Sequence, residues 1–270
     1  GTTRAARGRE QDDGDPIGRP GAGDPRDGAG PGLGMAEPLV LLPGLMCDAR
    51  LWSHPFLALN DTRAIMVAPL TGATSVGALA QAVLEAAPRR FALAGHGLGG
   101  VVAMEMLSRA PDRVTRIALF DTSPLAETPQ DAAAREPRII GAQNGRLDEV
   151  LREEVPPAAL APGPGRIEVG QTVLDMGRSL GADTFVAQSR AMQRRPDQQK
   201  TLRDCRVPAL VLCGAHDSVF PVRRHETMAE LIPGAVLKVI EDAGHLPPLE
   251  QPDATTEALS EWLAAPLVLR

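Results

Sequence analysis

Phe91-Ala92-Leu93-Ala94-Gly95-His96-Gly97-Leu98-Gly99-Gly100 reads as a buried strand, a sharp turn and the opening of a helix. Small residues stand two before and two after the centre of the turn. That is the G-x-S-x-G layout that mounts a nucleophile on an exposed strand-to-helix elbow. The centre is Gly97, so the elbow is complete except for its hydroxyl.

Outward from this stretch, short apolar runs alternate with segments of helix length. Leu39–Leu42, Ala64–Ala68, Phe91–Ala94, Ile117–Phe120, Ala209–Cys213 and Val236–Ile240 are apolar on consecutive rather than alternate residues. Strands of that kind are covered on both faces, which predicts an α/β fold: a mostly parallel sheet of at least six strands between two helix layers. Helices are predicted over 76–87, 99–109, 221–231 and 252–263, the last two opened by Pro221 and Pro252. The helix after the elbow is apolar nearly all round and is expected to be buried.

Between 125 and 204 the strand rhythm stops, and Pro156-Pro157 and Pro162-Gly163-Pro164-Gly165 break the chain into helical pieces. Val169, Val173, Met176 and Leu180 recur at helical spacing. This region is expected to be a helical cap inserted into a core formed by 35–124 and 205–270. Gln193-Arg194-Arg195-Pro196-Asp197 ends it, either reaching the pocket or forming a solvated hinge. Residues 1–34 differ in kind, with only Ile17 and Leu33 as large aliphatics and six acidic residues. They are expected to be a disordered leader or an added segment, unable to bury enough apolar area to offset ordering.

The net charge of −6 and the scattered basic residues argue against a nucleic-acid partner. No apolar run reaches the roughly 20 residues that cross a bilayer. Three cysteines without paired spacing, Cys47, Cys205 and Cys213, suit reduced thiols and a cytoplasmic setting. No metal or other cofactor is expected, since His216 and His225 lack ligand spacing.

An elbow of this type works with an acid and a histidine on later strand ends, in that order. Asp217 follows the strand at 209–213, and His245 follows the one at 236–240. The aspartate would orient the imidazole while the histidine moves the proton. Two backbone N–H groups would face the developing oxyanion: that of Leu98 at the helix start, and that of Leu45 in Leu42-Pro43-Gly44-Leu45. Met46, His96 and Ser123 are assigned to the substrate-binding surround, His96 more as a packing residue than as a participant in chemistry. Asp121 is an alternative acid, and Cys47 a weak substitute nucleophile.

Taken together, Leu42-Pro43-Gly44-Leu45, Gly95-His96-Gly97-Leu98-Gly99-Gly100, Gly214-Ala215-His216-Asp217 and Gly244-His245 resemble the α/β-hydrolase superfamily from Leu39 to Leu263, most of all small capped bacterial esterases and lactone hydrolases. The resemblance implies that position 97 is the nucleophile position, and a carboxylic ester or lactone as substrate. With glycine there, the expected form binds substrate with little covalent turnover. Two alternatives stay open: a His–Asp general-base enzyme of lyase, cofactor-free oxygenase or water-activating type, and a non-catalytic binder of a small apolar ligand.

Overall fold

The computed structural model describes residues 36–267; the expected leader at 1–34 lies outside them. The chain opens with β1 (Ala36–Leu42), α1 (Ser53–Leu59), β2 (Arg63–Val67), α2 (Val76–Ala86), β3 (Phe91–His96), α3 (Leu98–Arg109) and β4 (Val114–Phe120). Six helices follow before the next strand: α4 (Pro129–Ala134), α5 (Glu136–Gln143), α6 (Leu147–Glu154), α7 (Arg166–Leu180), α8 (Ala182–Gln193) and α9 (Gln199–Arg203). The chain then completes the sheet with β5 (Ala209–Gly214), α10 (Val222–Leu231), β6 (Val236–Ile240), α11 (Pro247–Glu250) and α12 (Pro252–Ala264).

All neighbouring strands are parallel, in the order β2-β1-β3-β4-β5-β6. The predicted α/β architecture is therefore present, with helices on both faces. Alternate residues of each strand serve opposite layers. Val40, Leu42, Leu93 and Leu119 pack with α2 and α3, while Leu39, Leu41, Ala94 and Phe120 pack with Trp52 and α12. That two-sided burial is why the strands carry unbroken apolar runs.

Chain progression reverses between β1 and β3, because β2 lies outside β1 while β3 starts the other half of the sheet. Loops leaving the two strands on either side of such a switch diverge at their carboxyl ends and leave a crevice. The loop Pro43–Asp48 leaves β1 there, and Gly97 leaves β3.

The helices between β4 and β5 hold a separate small core of Ile139, Ala142, Val150, Leu151, Leu174 and Phe185, into which Met46 of the β1 loop inserts. Arg195, weighed as pocket-reaching or as part of a solvated hinge, is 8% exposed. Its Nε donates to Leu125 O at 2.8 Å and its Nη1 to Glu127 Oε1 at 2.7 Å. Arg194, Pro196 and Asp197 are exposed, as a solvated hinge would be, and Arg195 alone turns inward to the shielded Glu127 carboxylate. Pro221 caps α10 rather than entering its first turn, a one-residue shift.

Candidate active site

Packing at the elbow accounts for three of its four glycines. A Cβ on Gly95 would collide with the Gly99 carbonyl, one on Gly99 with the carbonyls of Leu42 and Pro43, and one on Gly100 with Thr122. Strand, helix and β1 loop can meet so closely only without side chains. Gly97 differs: a Cβ there would find nothing nearer than Gly44 Cα at 3.7 Å and Asp121 O at 3.9 Å. Its backbone sits at φ 52°, ψ −116°, which side-chain-bearing residues rarely adopt. Two hydrogen bonds fix it there, Gly97 N donating to Phe120 O at 2.9 Å and Thr122 Oγ1 donating to Gly97 O at 2.7 Å.

His245 and Asp217 come together from loops 28 residues apart, with Nδ1 and Oδ2 at 3.0 Å. Both are buried. Asp217 Oδ1 also accepts from Val219 N at 2.8 Å and Phe220 N at 3.0 Å. Burial pushes the Asp217 carboxyl up, but the charge and hydrogen bond of His245, the Phe220 N–H and the neighbouring Asp121 outweigh it and hold it below the usual range. The anion is thus kept where it orients an imidazole.

The histidine loop is braced by a residue that sequence reasoning missed. Glu250 Oε2 accepts from Gly244 N at 3.0 Å and Leu246 N at 2.8 Å, and its Oε1 accepts from Ala161 N at 2.7 Å. His245 N itself donates to Ala159 O at 2.7 Å. A carboxylate five residues beyond a candidate histidine was the available signal.

Among the described residues, the N–H groups of Leu45 and Leu98 find no acceptor. That of Leu98 stands at the start of α3, where the first N–H groups of a helix are unpaired and the dipole is positive. Met46 beside Leu45 has φ 54° and donates its N–H to Gln188 Oε1 at 2.8 Å, while Gln188 Nε2 donates to Leu70 O at 2.7 Å. Gln188 was also missed; a lone amide among Phe185, Ala191 and Met192 on the buried face of α8 is its trace in the sequence. Beside this loop a cavity of about 270 Å³ runs between Pro43, Cys47, Leu70 and Leu180. A wider one of about 620 Å³ lies at the amino ends of β4 and β5, away from these groups.

His96 is buried against Gly44 and donates from Nε2 to His245 O at 2.6 Å, its ring centroid 5.0 Å from that of His245. Burial, with the neighbouring His245, lowers its pKa to about 3, so it is neutral. Ser123 is buried, and its hydroxyl accepts from Leu125 N at 3.3 Å. Cys47 has its thiol pushed up to about 12 by burial and by Asp48, which makes it a poor nucleophile.

Asp121 lies beside the pair. Single atoms of Asp121, Asp217 and His245 fall within 4.8 Å of one another. His245 and Asp217 already bond each other, and a structural zinc site would need four ligands. The cluster therefore fits a proton-handling array better than an ion site.

The sequence profile described as "Alpha/beta hydrolase family" matches residues 39–258. A pimeloyl-[acyl-carrier protein] methyl ester esterase of Aromatoleum aromaticum is 29% identical over 239 residues, 80% of this chain and 93% of that one. A protein of the same name from Vibrio cholerae is 26% identical over 242 residues, 85% of this chain and 95% of that one. Among solved structures, a thermophilic esterase from Thermogutta terrifontis superposes with TM-score 0.76 at 27% identity, over 85% of this chain and 90% of that one.

Proposed function

This chain belongs to the alpha/beta hydrolase family, and from that premise we propose that its site binds a carboxylic ester or lactone at an elbow lacking its nucleophile. The N–H groups of Leu45 and Leu98 are the oxyanion donors, His245 is the proton carrier and Asp217 its orienting anion. The helices between β4 and β5 act as a lid over an apolar acyl pocket that includes Met46 and His96.

One observation carries this reading. Packing forbids a side chain at Gly95, Gly99 and Gly100 but leaves room for one at Gly97, in the backbone conformation of an elbow. Packing therefore does not require glycine at that centre.

Without a hydroxyl no acyl-enzyme forms, and binding with slow or absent turnover is expected. A second reading has one observation in its favour: Nδ1 of His245 is held by Asp217, which leaves Nε2 as the nitrogen available to a water at the vacant centre. That route is direct general-base hydrolysis.

The test is a panel of short esters and lactones assayed with the chain and with Gly97→Ser. Methyl esters head the panel, because the relatives are named for a methyl ester. Activity in Gly97→Ser alone supports the first reading, and equal activity in both supports the second. A well-folded Gly97→Ser that binds and turns over no ester would overturn both.

A further inference from the structure

Asp121 directly follows β4, buried to 0% exposure, at φ 43°. Its backbone N–H donates to Leu212 O at 3.0 Å, so the strand pairing fixes it in this conformation. Oδ1 accepts from Gly214 N at 3.1 Å. Oδ2 is buried and meets no donor if every carboxyl nearby is ionised. The group it faces is the Asp217 carboxylate.

Charge around this pair does not balance for two anions. His96 and His225 are the other histidines at hand, and burial holds both neutral, at about 3 and about 4. His225 Nε2 shows this directly, since it accepts from Thr122 N at 3.1 Å and so carries no proton. Cys213 is pushed up to about 12 by burial and by the two aspartates, and Glu250 adds a further carboxylate. His245 is already engaged by Asp217. Two unscreened anions within 4.8 Å of each other in a buried site would repel strongly, and the usual resolution is one retained proton.

We propose that Asp121 is a positioning residue that keeps its proton and donates it to Asp217, so that Asp217 presents one oriented anion to His245. The proton supplies the missing partner of Asp121 Oδ2. It leaves Asp217 with donors on both sides, the backbone at Val219 and Phe220 and the acid at Asp121. Burial, and next the Asp217 charge, raise the Asp121 carboxyl well above its ordinary range, in the same direction. The proposal deepens the reading of His245 and Asp217 as a proton-handling pair and rests on it.

Infrared difference spectra between the full chain and Asp121→Asn at neutral pH read the proton without any assay of turnover. The expected result is a protonated-carboxyl C=O band in the chain that shifts in D2O and is missing from Asp121→Asn. Absence of the band, or its loss in Asp217→Asn but not in Asp121→Asn, overturns the proposal. Asparagine tolerates positive φ and can donate to Asp217 while accepting from Gly214 N, so it is the conservative replacement.

In a Gly97→Ser background, Asp121→Asn should keep kcat within about threefold, while a folded Asp121→Ala should lose roughly tenfold or more with KM unchanged. Equal losses in the Asn and Ala variants would overturn the donor role. Should Gly97→Ser prove inactive while the infrared band is present, the ester reading fails and the shared proton stands.

Discussion

Gly97 and its glycine neighbours show how one residue type serves two purposes within six positions. Gly95, Gly99 and Gly100 are there because carbonyls and Thr122 occupy the space a Cβ would need. At Gly97 the space is open and only the backbone angle favours glycine. Gly97→Ser should therefore fold, with a loss of about 1–3 kcal/mol read by denaturant unfolding. It should raise turnover of activated short esters by about 10³-fold or more, read as initial rates. The elbow and the contact between Asp217 and His245 were legible in the sequence because each follows the end of a recognisable strand at one edge of the sheet. Glu250 and Gln188 were not, since their roles consist of backbone groups from distant loops that sequence spacing does not bring together.

At the level of elements, the β1 loop is held by the helical insertion as much as by the sheet. Gln188 on α8 bridges Met46 N and Leu70 O, and Met46 packs into the small core of the insertion. Gln188→Ala leaves a buried N–H without a partner, at a cost of about 1–3 kcal/mol. In a Gly97→Ser background it should also lower kcat, read by steady-state kinetics, because Leu45 adjoins the freed segment. The hinge carries a second buried contact: Glu127 Oε1 accepts from Arg195 at 2.7 Å and from Arg135 at 2.6 Å, all three largely shielded. Glu127→Ala takes the near carboxylate from two shielded guanidinium groups, leaving Arg135 only Glu154 at 4.0 Å and Arg195 only backbone carbonyls, and should destabilise by about 3 kcal/mol, measured by urea unfolding. The sheet elements were legible because double-sided burial imposes continuous apolar runs. The hinge was not, because Arg195 has the same letters whether it faces water or Glu127.

Across the whole molecule, buried histidines set the acid limb of stability. His96 falls from 6.5 to about 3 on folding and His225 from 6.5 to about 4, each mainly through burial. Between pH 6.5 and 4 the unfolded chain binds both protons and the folded chain neither, so their contribution is lost as pH falls. Asp121 acts oppositely: its raised pKa means the folded chain keeps a proton that the unfolded chain releases above 3.8, which favours the folded state as pH falls. The lowered pKa of Asp217 acts below 3.8. The two histidine protons outnumber the one that Asp121 can retain, so stability should fall as pH drops from 6.5 to 5, by less than the roughly 2.7 kcal/mol per pH unit that the histidines alone would give. His225→Gln, whose amide oxygen can still accept from Thr122 N, should make that limb shallower by up to about 1.4 kcal/mol per pH unit; denaturant unfolding at several pH values checks both. The sequence by itself determined the parallel sheet, the elbow, and the pairing of Asp217 with His245, because burial on both strand faces fixes the apolar runs and the order of the strand ends fixes which polar residues can meet. Only the tertiary structure decided which glycines are sterically required, which histidines are neutral, and that two carboxyls converge beside one imidazole. Those properties depend on contacts between chain segments remote in sequence, and on the loss of water when they close.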